Sequence, residues 1–109
     1  MNMDFLRKDL FLLNSKFKNR QLSLSEDFYN QLESCGFDIN NSFLVEIVPD
    51  GGNTYFGTII NQLLEVFTFD IDMDFKTHSK IKKKLKQNQL DKFARELAAL
   101  ECTKTGARN

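Results

Sequence analysis

The sequence predicts an α+β fold: a three-stranded antiparallel meander packed with two N-terminal helices and one long C-terminal helix, in the order α-α-β-β-β-α. In the first and last thirds, apolar residues recur every three or four positions, the period of a helix with one buried face. In the middle third they recur every second position, the period of a strand. Size sets the scale: 109 residues, 41% of them hydrophobic, with 15 Lys+Arg offsetting 15 Asp+Glu, suffice for one core without metal or disulfide support. A single domain is expected over residues 1–102, and the small polar residues 103–109 are expected to form a flexible tail.

The first helix is expected from Met3 to Phe17, where Phe5, Leu6, Leu10, Leu13 and Phe17 are separated by Arg7, Lys8, Asp9 and Lys16. A second, shorter helix follows. Ser23 precedes Glu26 by three positions, the spacing of a capping box, with Ser25 as the alternative cap. Leu24, Phe28, Leu32 and Cys35 then form one stripe, and Gly36 suits a left-handed stop.

Phe43-Leu44-Val45-Glu46-Ile47-Val48 is rich in β-branched residues and runs into Pro49-Asp50-Gly51-Gly52-Asn53, a string of turn formers. A strand entering a hairpin is predicted there, with Thr54 to Ile60 returning and Asn61 to Leu64 connecting onward. The third strand, Glu65 to Asp72, has the clearest alternation, with Phe67, Phe69 and Ile71 on one face and Val66, Thr68, Asp70 and Asp72 on the other. The last helix is expected to begin near Thr77 or Ser79 and to run to about Cys102. Its stripe is Ile81, Leu85, Phe93, Leu97 and Leu100, with Leu90 and Ala94 beside it. Asn88 and Gln89 interrupt that stripe, so the helix is expected either to bend there or to project its basic first half beyond the sheet.

No apolar run approaches the roughly 18 residues of a membrane span, and the start MNMDFLRKDLF lacks the apolar stretch of a signal peptide. The expected location is the cytoplasm, with Cys35 and Cys102 reduced and structural. These two cysteines and the single histidine, His78, cannot supply a standard zinc site. Gly51-Gly52 belongs to a hairpin turn rather than a phosphate loop, and no serine sits in a nucleophile elbow. The sequence therefore points to a protein without enzymatic activity, cofactor or metal.

Three features point to binding. Asp70, Asp72 and Asp74 alternate, which on an extended strand places them on one face about 6 to 7 Å apart. As a calcium loop the segment fails, because Phe75 stands where glycine is needed and Ile81 where a bidentate glutamate is needed. The plain reading is a solvated edge and the functional one an acidic, partner-facing patch. The second feature is the run Lys80, Lys82, Lys83, Lys84 and Lys86, the one nucleic-acid or membrane signal, although no aromatic is interleaved for base stacking. Placed at a helix start, such a run opposes the helix dipole, so pairing with the neighbouring aspartates is the plain account. The third feature is the aromatic content, 11 Phe and 2 Tyr. Tyr55 and Phe56 are adjacent on one strand and so point to opposite faces; one of them is expected outside the sandwich as a recognition anchor unless both faces are covered.

Tyr55-Phe56-Gly57-Thr58-Ile59-Ile60 followed by Val66-Phe67-Thr68-Phe69-Asp70-Ile71-Asp72 resembles the central sheet of small bacterial immunity proteins, the antidotes encoded beside contact-dependent or other polymorphic toxins. The resemblance implies a cytoplasmic, non-enzymatic protein that binds one toxin domain and blocks its active site. The candidate partner-binding residues are Asp70, Asp72, Asp74 and Tyr55, with Asp50 and Asn53 in the turn. The competing reading is a small regulatory nucleic-acid binder that uses the lysine run as a helix face. A homodimer built only for assembly is a third.

Overall fold

The computed structural model describes residues 3–22, 26–49, 54–73 and 80–106. Its elements are α1 (Met3–Lys18), α2 (Glu26–Ser34), a single 3-10 turn (Ile39–Asn41), β1 (Phe43–Pro49), β2 (Thr54–Ile60), β3 (Val66–Asp72), β4 (Lys80–Lys83) and α3 (Gln89–Gly106). The strands lie in sequence order in one sheet, each antiparallel to the next. An α+β fold with a meander between helices is thus present, but among the described residues the sheet has four strands rather than three.

The extra strand lies where the start of the long helix was expected. Clustered lysines on a helix repel one another and oppose the dipole at its N-terminus. On a strand they alternate between faces, and lysine is a favoured residue at a sheet edge. Ile81, the only apolar residue of β4, sits opposite Phe69. The helix begins later because Asn88 caps it: the Asn88 side chain accepts the Asp91 amide at 2.8 Å, and the Asp91 carboxylate accepts the Asn88 amide at 3.1 Å. This reciprocal pair is a capping box. The polar interruption at Asn88 and Gln89 is therefore a helix start rather than a bend, and Leu85 stands 86% exposed before it.

Each face of the sheet has its own core. On the first face, Leu13 and Phe17 of α1 and Phe28, Tyr29 and Leu32 of α2 pack on Leu44, Ile59, Phe69 and Ile71. Phe28 meets Tyr55 and Phe69 edge-on, with ring centroids 5.8 and 5.7 Å apart. Tyr29 donates its hydroxyl hydrogen bond to the Phe17 carbonyl at 2.8 Å. Burial pushes its phenol pKa up, against the opposing pull of Arg20, whose guanidinium lies 4.3 Å from the ring centre. On the second face, Ala94, Leu97 and Ala98 of α3, with Leu10 of α1, cover Phe43, Val45, Ile60 and Val66. Phe67, Phe69 and Ile71 share the first face and Val66 lies on the second, as the alternation predicts.

Four expected stripe positions among the described residues fall outside, including Leu85 at 86% and Leu100 at 56% exposed. Phe5 is 67% exposed, and Cys35 is exposed in the turn beyond α2. Gly36 does adopt the left-handed conformation, at φ 96°. The expected caps Ser23 and Ser25, Leu24 and the turn from Asp50 to Asn53 lie outside the described residues.

Asn14 is a polar member of the α1 core stripe and is 1% exposed. Its amide donates to the carbonyls of Leu10 and Leu44, at 2.8 and 2.9 Å, and its side-chain oxygen accepts the Leu44 N–H. A single side chain thereby pairs both backbone groups of a residue on the outer strand β1, as a neighbouring strand would.

Candidate functional site

The site follows from register. Between Leu44 and Glu46 the pairing of β1 with β2 shifts, so one extra residue is accommodated there. Beyond the shift, two rows of side chains cross all four strands on the second face. The inner row is Glu46, Thr58, Thr68 and Lys82, and the outer row is Val48, Phe56, Asp70 and Lys80. They share the side of Ile60 and Val66 because they lie two and four positions along the same strands. Side chains in such rows stand about 5 Å apart.

The α3 helix covers Ile60 and Val66 and leaves these rows open. Phe56 is 42% and Val48 38% exposed, with Glu46, Asp70, Lys80 and Lys82 exposed around them. Thr58 is buried and donates to the Glu46 carboxylate at 3.4 Å. Asp72 continues the face one row further, opposite Thr54. The result is a small apolar centre, two side chains wide, with carboxylates beside it and ammonium groups along the β4 edge.

The predicted site residues separate accordingly. Asp70 and Asp72 lie on one face, as their spacing requires. Asp74, Asp50 and Asn53 lie outside the described residues. Tyr55 points the other way, half-buried against Phe28, and Phe56 is the aromatic on the open side. Glu46 and Val48 were not singled out by the sequence reading; they join the site through their pairing with Thr58 and Phe56. Parity alone leaves the choice between Tyr55 and Phe56 undecided. Gly57 shares the face of Tyr55 and admits no side chain, because a Cβ there would meet the Glu46 carbonyl oxygen at 2.1 Å and the Phe69 ring at 2.8 Å.

The lysine run does not form one basic face. Lys80 and Lys82 reach the open face, opposite Asp70 and Thr68. Lys83 pairs with Glu65 at 2.7 Å, and the hydrogen bond from this ammonium holds the Glu65 carboxyl below its ordinary pKa. Lys84 pairs at 2.7 Å with Asp91, which is 1% exposed, tying the end of β4 to the first turn of α3. Lys86 is exposed beyond the strand.

Among the described residues no three His, Cys, Asp or Glu side chains gather to hold a metal ion, and no helix is long and apolar enough to cross a membrane. No protein-family model, curated protein or solved structure matches the chain.

Proposed function

We propose that the chain is a non-enzymatic, protein-binding inhibitor, an immunity protein that neutralises a cognate bacterial toxin domain by covering its active site with the open half of the sheet. The observation that carries this reading is the row Val48, Phe56, Asp70 and Lys80, in which two apolar side chains stand exposed beside charges on a four-stranded surface. An aromatic held on a strand loses little entropy when it is covered, and such residues dominate binding energy at interface centres. Glu46, Asp70 and Asp72 beside it suit a cationic partner, such as a domain that handles phosphates, by steering its approach.

The distribution of the lysines favours this reading over a nucleic-acid binder. Lys83 and Lys84 are engaged within the fold and Lys80 stands opposite a carboxylate, so few ammonium groups remain to displace counterions from a phosphate backbone. The test is calorimetric binding to the toxin domain encoded by the adjacent reading frame. Phe56→Ala is expected to fold and to weaken binding by about thirtyfold or more, and Asp70→Asn with Asp72→Asn to slow association mainly at low salt. Unchanged affinity in folded Phe56→Ala would overturn the reading. So would tight, steeply salt-dependent DNA or RNA binding by the wild type that is lost when Lys80, Lys82 and Lys86 become Gln.

A further inference from the structure

We propose that the outer edge of β4 accepts an extended acidic segment of another protein, which joins the sheet as a fifth strand. This surface adjoins the open face but is argued from backbone direction and a groove on the opposite side, so it is independent of the toxin reading. In an antiparallel ladder, residues bonded inward alternate with residues whose amide and carbonyl point outward. The Lys84 amide donates to the Val66 carbonyl at 2.8 Å, which puts Lys80 and Lys82 in the inward set. The backbone groups of Ile81 and Lys83 therefore face away from β3, at the end of the strand order.

Beneath this edge, on the first face, lies a groove of about 340 Å³ lined by Cys35, Gly36, Phe37, Asn61, Phe67 and Ile81. Its apolar wall is made by the rings of Phe37 and Phe67, edge-on at 5.3 Å, together with Ile81. An incoming strand alternates its side chains between the two faces. On the groove side they meet Ile81 and Lys83, whose ammonium is already paired with Glu65; on the other they meet Lys80 and Lys82. The edge thus selects a segment in which apolar and acidic residues alternate, backbone bonds supplying affinity and the groove and lysines specificity. Lysines on an outer strand also discourage pairing with unselected strands, and they bring like charges together when two copies of β4 meet. Charge therefore favours an acidic segment over a second copy of this chain.

The experiment titrates the full chain with a synthetic heptapeptide alternating glutamate and valine, and with a counterpart in which lysine replaces glutamate. The glutamate peptide is expected to bind, to weaken as ionic strength rises from about 0.05 to 0.5 M, and to slow amide exchange at Ile81 and Lys83 while leaving Lys82 unchanged. Ile81→Pro removes an outward N–H without touching the β3 ladder and is expected to abolish binding. Lys80→Gln with Lys82→Gln, which keeps every backbone group, is expected to weaken it about tenfold. Failure of the glutamate peptide to bind, equal binding of the lysine peptide, or unaltered exchange at Ile81 and Lys83 would each overturn the proposal. Dimerisation of the free chain through β4 would do the same.

Discussion

Two halves of one sheet face, built from the same strands, have opposite surfaces. Under α3 the face shows Val45, Ile60 and Val66, each at most 3% exposed. Two residues further along β2 and β3 it shows Thr58 and Thr68, and after two more Phe56 and Asp70, bordered by lysines. Backbone geometry is shared, so the difference lies in what covers each half. The register shift in β1 turns Val45 toward α3 and Glu46 toward the open rows, and the capped start of α3 together with the Lys84–Asp91 pair fixes where the cover sits. The bulge and the helix cap therefore set where the boundary falls, and strand composition changes with it, from Val45, Ile60 and Val66 to Glu46, Thr58, Thr68 and Asp70.

The sharpest way to break this comparison is to place the same charge in each half. Ile60→Asp buries a carboxylate under α3 and should cost about 4 kcal/mol or more, enough to unfold much of the population. Phe56→Asp, four residues away on the same strand and face, should cost under about 1.5 kcal/mol because its site is wet. Equal denaturation midpoints for the two variants would show that the outer rows are covered after all.

A smaller effect is expected at Asn14. Asn14→Leu keeps the branched shape but leaves the Leu44 amide and carbonyl without partners, so a loss of about 2 to 4 kcal/mol should appear in urea unfolding. Asn14→Asp, which retains the acceptor and loses the donor, should share the defect in part.

The smallest effect concerns the Glu65–Lys83 pair, which joins the start of β3 to the end of β4. The Glu65 carboxyl has a lower pKa in the folded chain than in the unfolded one, so its contribution is fully present above the ordinary glutamate range and fades as pH falls through the folded value. Glu65→Gln should therefore flatten the acid-side loss of stability in denaturation series run at successive pH values, with little change near neutrality.

Legibility in the sequence followed the length of the pattern. The seven residues of β3 alternate without a break, so the common face of Asp70 and Asp72 could be read directly. β4 has four residues and one apolar side chain, too short to show a period, and its lysines fitted a helical stripe equally well through Ile81 and Leu85. Asn88 and Asp91 carry capping-box spacing, a local signal that was available but outweighed by the apolar residues on either side. Asn14 could not be recognised in advance as core, because its partner Leu44 lies 30 residues away on a strand edge. The exposed aromatic was narrowed to Tyr55 or Phe56, and the packing of Tyr55 on Phe28, which lies far away in sequence, decides between them.

The bond from Asn14 to Leu44 has a consequence for assembly. Linear polymers of sheets propagate only when each unit offers two compatible edges, one to receive and one to give. Here the edge at β1 is obstructed at two positions: the backbone groups of Leu44 are occupied by a side chain of α1, and Pro49 has no N–H to offer. A molecule that pairs with β4 would find the far edge obstructed at Leu44 and Pro49, which disfavours open-ended growth and favours a product of fixed stoichiometry.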